Sequence, residues 1–389
     1  MRDVYIAGVG QTAISKDATL LDYELGVAAL KVALDDAAIS PEQVDALFIG
    51  NMMSGMLAHQ QQLGALLADY AGMRGVDAVT LEAACASGAE AARLGYLTVA
   101  SGVNDIAVVC GLERMTHVDQ DTVTRALATA ADWQLEGSCG ETFVSLNAKL
   151  MRAYMQAYGA RAEDFAPFSI TAHKNALTNP NALLHKRVDL GDYLASRIIV
   201  DPVRLFDASP ICNGSAAIVL ACAERMEGLQ STLPHVRIVG SAAATDSLAL
   251  SRRAELLHLE AVAASTRKAL DQAGAEHEDM DLLELHDAYT IMTVLSLESG
   301  GFAAPGAGTE LGAGGRIELS GDLPLSTMGG LKARGHPVGA TGVYQLVEAY
   351  LQLAGRAGPN QISDPELALA QNIGGTGSTV VTHILRREG

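Results

Sequence analysis

Short apolar runs alternate along the chain with stretches whose apolar positions recur at helical spacing, which is the pattern of an α/β fold. The runs at 4–9, 45–50 (DALFIG), 78–81, 105–111 (DIAVVCG) and 216–221 (AAIVLA) predict strands. Residues 21–37 and 89–100 predict Ala-rich helices. Between about 118 and 198 the pattern changes. This stretch carries Met151, Tyr154, Met155 and Tyr158, polar helical segments, Pro167 and Pro180, and reads as an inserted loop domain.

The second half then repeats the first. Residues 236–240 (VRIVG) answer the opening strand, 260–273 the first helix and 281–285 the strand at 45–49. Residues 367–374 (LALAQNIG) answer 105–111, and 379–385 answer 216–221. Two βαβ-rich halves of like order predict an internal duplication. The first half is expected over 1–232, loop domain included, and the second over 233–389.

Length and composition agree with this. A chain of 389 residues exceeds what one hydrophobic core usually supports, and 49% apolar with 19% charged residues is a globular composition. The net charge of −18 argues against nucleic acid or an anionic membrane as partner. No apolar run reaches the roughly 18 residues of a membrane span. The N-terminus reads directly as a strand, with no signal peptide, and Arg387-Glu388-Gly389 is not a targeting tripeptide. The five cysteines, Cys85, Cys110, Cys139, Cys212 and Cys222, are odd in number and form no C-x-x-C pair. The expectation is therefore no metal, no disulfide framework and a reducing cytoplasm.

Three segments carry candidate chemistry. In Ala83-Ala84-Cys85-Ala86-Ser87-Gly88, a cysteine stands between a strand and an Ala-rich helix, where free N–H groups and the positive end of the helix would stabilise a thiolate. Cys110 and Cys222 lie inside apolar strands and read as packing residues. The Gly-rich string 329–342 (GGLKARGHPVGATG) precedes a helix expected at 343–353 and occupies, in the second half, the place of Cys85 in the first. Both helix starts would then face one pocket, with His336 as the base for the thiol. His286 and Asp287 end a strand, the usual functional edge of an α/β sheet. The Gly-rich turn 371–377 (QNIGGTG) is a softer candidate for presenting backbone N–H groups to an oxyanion.

Taken together, these strings resemble the thiolase superfamily nearly end to end. Cys85 in A-C-A-S-G-A looks like the family nucleophile, and G-H-P-V-G-A-T-G at 335–342 looks like its histidine motif. His286-Asp287-Ala288-Tyr289 occupies the place of its N-E-A-F motif. The H-D form and the GGLKAR string at 329–334 are similar to the sterol-carrier-linked and archaeal-type branch. The resemblance implies a five-layered α-β-α-β-α fold with a loop domain near a dimer interface, in a homodimer or a dimer of dimers. It implies acyl transfer through Cys85, with Claisen condensation of acyl-CoA or thiolytic cleavage of 3-ketoacyl-CoA. Coenzyme A would be substrate and product rather than a tightly bound cofactor. One oxyanion hole would come from the N–H groups of Cys85 and Gly374, and a second from His286 with His336.

The sequence departs from the family at the second catalytic thiol. The C-x-G place is Asn372-Ile373-Gly374, and the alternative cysteine place, H-D-C-F, holds Ala288. His286 is the candidate for the proton transfer that this thiol performs elsewhere. Asn372, Lys332 and Arg334 are candidate substrate contacts, and Arg252, Arg253, Arg267 and Lys268 further candidates for the CoA phosphates.

Two rivals stay open. The first is another reaction of the superfamily, either acyl transfer to a different acceptor or a retro-aldol cleavage. The retro-aldolases lack the nucleophile and carry tyrosines for the two histidines. The second is a scaffold subunit, since relatives assemble with a zinc-bearing OB-fold protein and with an HMG-CoA synthase.

Overall fold

The computed structural model describes residues 1–226 and 234–389. The first half runs β1 (Val4–Gln11), α1 (Asp22–Ala37), β2 (Ala46–Gly50), α2 (Ser54–Leu57), α3 (Leu63–Tyr70), β3 (Asp77–Leu81), α4 (Ser87–Ser101) and β4 (Ile106–Glu113). An excursion follows: α5 (Gln120–Ala128), α6 (Phe143–Tyr158), α7 (Ala162–Ala176), α8 (Leu190–Ala195) and the two-stranded ribbon β5 (Ile198–Val200) and β6 (Val203–Arg204). The half closes with β7 (Gly214–Cys222) and α9 (Ala223–Met226). The second half is β8 (His235–Thr245), α10 (Glu260–Ala273), β9 (Leu282–Glu284), α11 (Thr290–Ser299), α12 (Thr341–Leu353), β10 (Leu367–Gly374) and β11 (Thr379–Glu388). The expected boundary between 232 and 233 lies outside the described residues.

The duplication is visible in the pairing. In the first half β2 runs parallel to β3 and β4, while β7 is antiparallel to β4 and β1. In the second half β9 is parallel to β10, and β11 is antiparallel to β10 and β8. A parallel bridge between Leu283 and Leu325 stands where β3 would. The full strand order is β3-β2-β4-β7-β1-β8-β11-β10-β9. Among the described residues, the two half-sheets meet through Tyr5↔Arg237 and Ile6↔Val236.

Helices cover both faces. One outer face of the first half-sheet holds α1, against β1 and β7, and the inner face holds α4, against β2 and β4. On the other side of α4 lies α12, which also packs on β10, and α10 covers β8 and β11 from beyond. The resulting order is helix, sheet, helix, sheet, helix. It explains why β4, β7 and β10 are buried at every residue: only strands covered on both faces can be buried throughout. Among the described residues no helix is long and apolar enough to cross a membrane.

The two central helices touch at their first turns. A Cβ on Gly88 would sit 2.7 Å from Gly339 O, and one on Gly342 would sit 2.4 Å from Ala89 N. Glycine is required at both places because any side chain would push α4 and α12 apart. Both helices start two residues earlier than the sequence pattern predicts, and this puts their free N-terminal N–H groups beside the candidate chemistry.

Candidate active site

Cys85 sits on a sharp turn between β3 and α4. Ala84, just before it, has φ 52°, the left-handed region that a non-glycine residue rarely occupies. Three hydrogen bonds hold this turn. Ala83 N–H donates to Ser87 Oγ (2.9 Å), Ser87 Oγ–H donates to Ala84 O (2.6 Å), and Ala84 N–H donates to Glu82 Oε1 (2.6 Å). The thiol is buried in an apolar shell that includes Met53, Leu57, Met115, Val123, Ala126 and Val338.

From the second half come His286, after β9, and His336, before α12. Cys85 Sγ and one ring nitrogen of each histidine lie within 4.8 Å of one another. The rings stand edge to face with centroids 5.0 Å apart. Each Nδ1 is engaged: His336 Nδ1 with Thr341 Oγ1 at 2.7 Å, and His286 Nδ1 with Asn372 Nδ2 at 3.0 Å. Nε2 of each ring is left for the shared pocket. The backbone N–H of His336 donates to Cys212 Sγ (3.1 Å).

The electrostatics differ from the sequence expectation. Burial, aided by the Glu113 carboxylate, pushes the Cys85 thiol up to about 12, and the N–H groups of Cys85 and Gly375 only partly oppose this. The helix start therefore does not hold a standing thiolate in the free site. Desolvation outweighs the helix end, because the charged form loses its water. Burial, with Arg334 and Lys332 nearby, lowers His286 to about 3. Burial, then His286 and Arg334, lowers His336 well below its usual range. Alkylation of Cys85 by iodoacetamide in the substrate-free protein is expected to accelerate about tenfold per pH unit from neutral pH to about 11, following the thiolate fraction. Peptide-resolved labelling across pH measures this, and a rate that levels off near neutrality would reveal a preformed thiolate instead.

Several expected residues are placed differently. Gly374 packs its bare Cα against Ala83 O, 2.4 Å from where a Cβ would stand, whereas the N–H that faces the Cys85 sulfur belongs to Gly375. Asn372, expected to touch substrate, is buried against His286. Lys332 and Arg334, expected at the pocket mouth, are buried. Lys332 lies 3.4 Å from Asp287 Oδ2, and Arg334 pairs with Glu348 at 2.7 Å. These pairs face away from solvent, so neither cation is available to a CoA phosphate. Of the other cations, Arg253 donates to Thr376 on the loop after β10, while Arg252, Arg267 and Lys268 are exposed.

Two residues were missed. Glu113, the last residue of β4, is fully buried and joins three segments around Cys85. Its carboxylate accepts from Met52 N (2.9 Å), Met53 N (3.1 Å), Gly339 N (3.1 Å) and Asn51 Nδ2 (3.0 Å). Burial pushes it up to about 7 against the pull of those donors. A glutamate closing an all-apolar strand was the available signal. Thr341, inside the histidine string, had no signal beyond its neighbours.

Residues 4–224 match the family model for the thiolase N-terminal domain, and residues 242–387 match the thiolase C-terminal domain-like model. The chain is 38% identical over its full length, and that of the relative, to an acetyl-CoA acetyltransferase of Methanothermobacter thermautotrophicus. It is 34% identical, over 99% of both chains, to the acetyl-CoA acetyltransferase of Methanocaldococcus jannaschii. Among solved structures, the Ltp2-ChsH2(DUF35) aldolase superposes with a TM-score of 0.86 at 25% identity, covering 99% of this chain and 98% of that one.

Proposed function

The chain belongs to the thiolase family, and from that premise we propose that Cys85 carries the acyl group between coenzyme A esters, with His336 as its base. The protein is an acyl-CoA acyltransferase of thiolase type. The observation that carries the residue assignment is the meeting of Cys85, His286 and His336 within 4.8 Å from three separate segments.

His336 Nε2 takes the thiol proton as the sulfur attacks the thioester. Proton and negative charge then exist only as a neighbouring pair. This lets a thiol near 12 and a weakly basic imidazole react without either being charged beforehand. The N–H groups of Cys85 and Gly375 face the sulfur and are placed to receive the oxyanion of the tetrahedral intermediate. The two histidines line the opposite side. Retention of the nucleophile and both histidines favours acyl transfer over retro-aldol cleavage.

The test is intact mass after mixing with acetyl-CoA. The protein is expected to gain one acetyl group on Cys85 and to lose it when a second acetyl-CoA or free CoA is supplied. A chain that gains no acetyl group would be a scaffold. Replacing His286 with alanine is expected to lower turnover about a hundredfold or more, because one well-placed oxyanion donor is worth about 3 to 4 kcal/mol. Steady-state thiolysis measures this, and an unchanged kcat would remove His286 from that role.

We infer a role in lipid metabolism from the acyl-CoA reaction, and a cytoplasmic homodimer is the assembly proposed with it. The similar aldolase is named as a complex with a DUF35 protein, which supports a partner of that kind here. Arg253, which donates to Thr376 on the loop after β10, is the cation proposed to meet a CoA phosphate.

A further inference from the structure

The second thiol of the family is absent, so the carbon–carbon step needs another carrier for the α-proton of the acceptor ester. The two histidines look interchangeable by distance, but their hydrogen bonds make them opposites.

Thr341 has one hydroxyl hydrogen, and it goes to Pro337 O (3.1 Å). Its oxygen can then only accept from His336, so His336 carries its proton on Nδ1 and presents a bare Nε2. The relay from Nδ1–H through the hydroxyl to a backbone carbonyl also stabilises a positive ring. Across the pocket, Asn372 donates Nδ2–H to His286 Nδ1, so the His286 proton is on Nε2. The orientation of that amide follows from its other end. Asn372 Oδ1 is buried without a hydrogen-bond partner and lies between the first turns of α4 and α12. There, a Cβ on Gly342 would sit 2.6 Å from the oxygen and 2.4 Å from Ala89 N. A carbonyl oxygen suits the positive ends of two helices, and an amide NH2 group does not. A donated N–H at Nδ1 opposes protonation of His286.

We propose that Asn372 and Thr341 are positioning residues that hold the two histidines in opposite tautomers, making His336 the single proton carrier of both half-reactions and His286 a fixed hydrogen-bond donor. This rests on the reading of Cys85 as acyl carrier. In the first half-reaction the Cys85 proton moves to His336 Nε2, sulfur attacks the acyl carbon, and the bond to CoA sulfur breaks. The departing CoA thiolate takes the proton from His336. The bare Nε2 is now restored. In the second half-reaction it removes the α-proton of the next acetyl-CoA, whose enolate oxygen accepts from His286 Nε2–H. The enolate carbon attacks the acyl carbon, the bond to Cys85 breaks, and the leaving Cys85 sulfur recovers the proton from His336. Two acetyl-CoA give acetoacetyl-CoA and CoA, with no second thiol needed.

The direct test is a long-range proton–nitrogen NMR spectrum of the full chain with ring-15N histidine, with His286 and His336 assigned through H286Q and H336Q. The expected result is an Nε2–H tautomer at His286 and an Nδ1–H tautomer at His336. The same tautomer at both, or the reverse pair, overturns the proposal. Kinetics provide the second arm. Thr341→Val is expected to slow acylation about a hundredfold, with Thr341→Ser restoring it. Asn372→Asp, whose carboxylate accepts from Nδ1–H, is expected to reduce condensation about a hundredfold further than acylation. Asn372→Cys places a thiol where relatives carry one, and it is expected to lower turnover. A gain in turnover would show that a second base is missing rather than replaced. Failure of the wild-type protein to acetylate would sink the acyl-carrier reading while leaving the tautomer assignment standing, so the two failures are distinguishable.

Discussion

Replacement of Cys85 by alanine is expected to abolish acetylation of the protein and to lower turnover about a millionfold, the scale on which other covalent enzymes lose activity without their nucleophile. No other cysteine is placed to substitute. Cys110 and Cys222 are buried inside β4 and β7, Cys139 is exposed in the excursion, and Cys212 accepts the His336 backbone N–H behind the ring. The strained turn at Ala84, its clasp by Ser87 and the facing Gly375 N–H all converge on one sulfur. Alanine fits the same small-residue turn, so the fold should survive and the loss should be chemical. Intact mass with acetyl-CoA and steady-state thiolysis report the result. A variant that keeps a tenth of the wild-type rate, or that is acetylated elsewhere, would end the covalent scheme.

The largest stability effect is expected at Glu348. Arg334 is fully buried, pairs with Glu348 Oε2 at 2.7 Å and lies 5.0 Å from the centre of the Tyr344 ring. Removing the carboxylate in Glu348→Ala leaves a guanidinium in the core with its closest anion gone. The expected cost is about 3 to 5 kcal/mol, most of it the desolvation of an unpaired charge rather than the worth of the ion pair. Glu348→Gln keeps an acceptor and should cost less. An Arg334→Met, Glu348→Leu double variant, which removes both charges, should recover much of the loss. Chemical denaturation of the four proteins measures this, and a Glu348→Ala loss below about 1 kcal/mol would mean that Glu284, which also acts on Arg334, is a sufficient partner. Arg334 stands two residues before His336, so the Glu348 variant should also lose activity as the loop shifts.

Much of the architecture was legible because it depends on local pattern. Continuous apolar runs become strands buried on both faces, and the repeated order of elements reappears as repeated pairing. The place of Cys85 in the candidate site was legible because a cysteine between a strand and an Ala-rich helix has few structural reasons to be there. The charges were not. Lys332 and Arg334 read as candidate substrate contacts, whereas their partners Asp287 and Glu348 lie 45 and 14 residues away in the chain. Glu113 went unread, because its donors lie about 60 residues upstream and 226 residues downstream.

The sequence by itself determined the two-half α/β layout, the thiolase strings and the three residues proposed to carry the chemistry. The layout follows from periodicity, and the strings from short runs of residues that resemble the family's motifs; both act over a few neighbouring positions. Only the tertiary structure decided that burial pushes the free thiol up, that two cations are buried in pairs, and which partner meets the Nδ1 of each histidine. Desolvation and hydrogen-bond direction depend on which atoms from distant segments come within about 3 Å of each other, and a linear order of residues does not contain that distance.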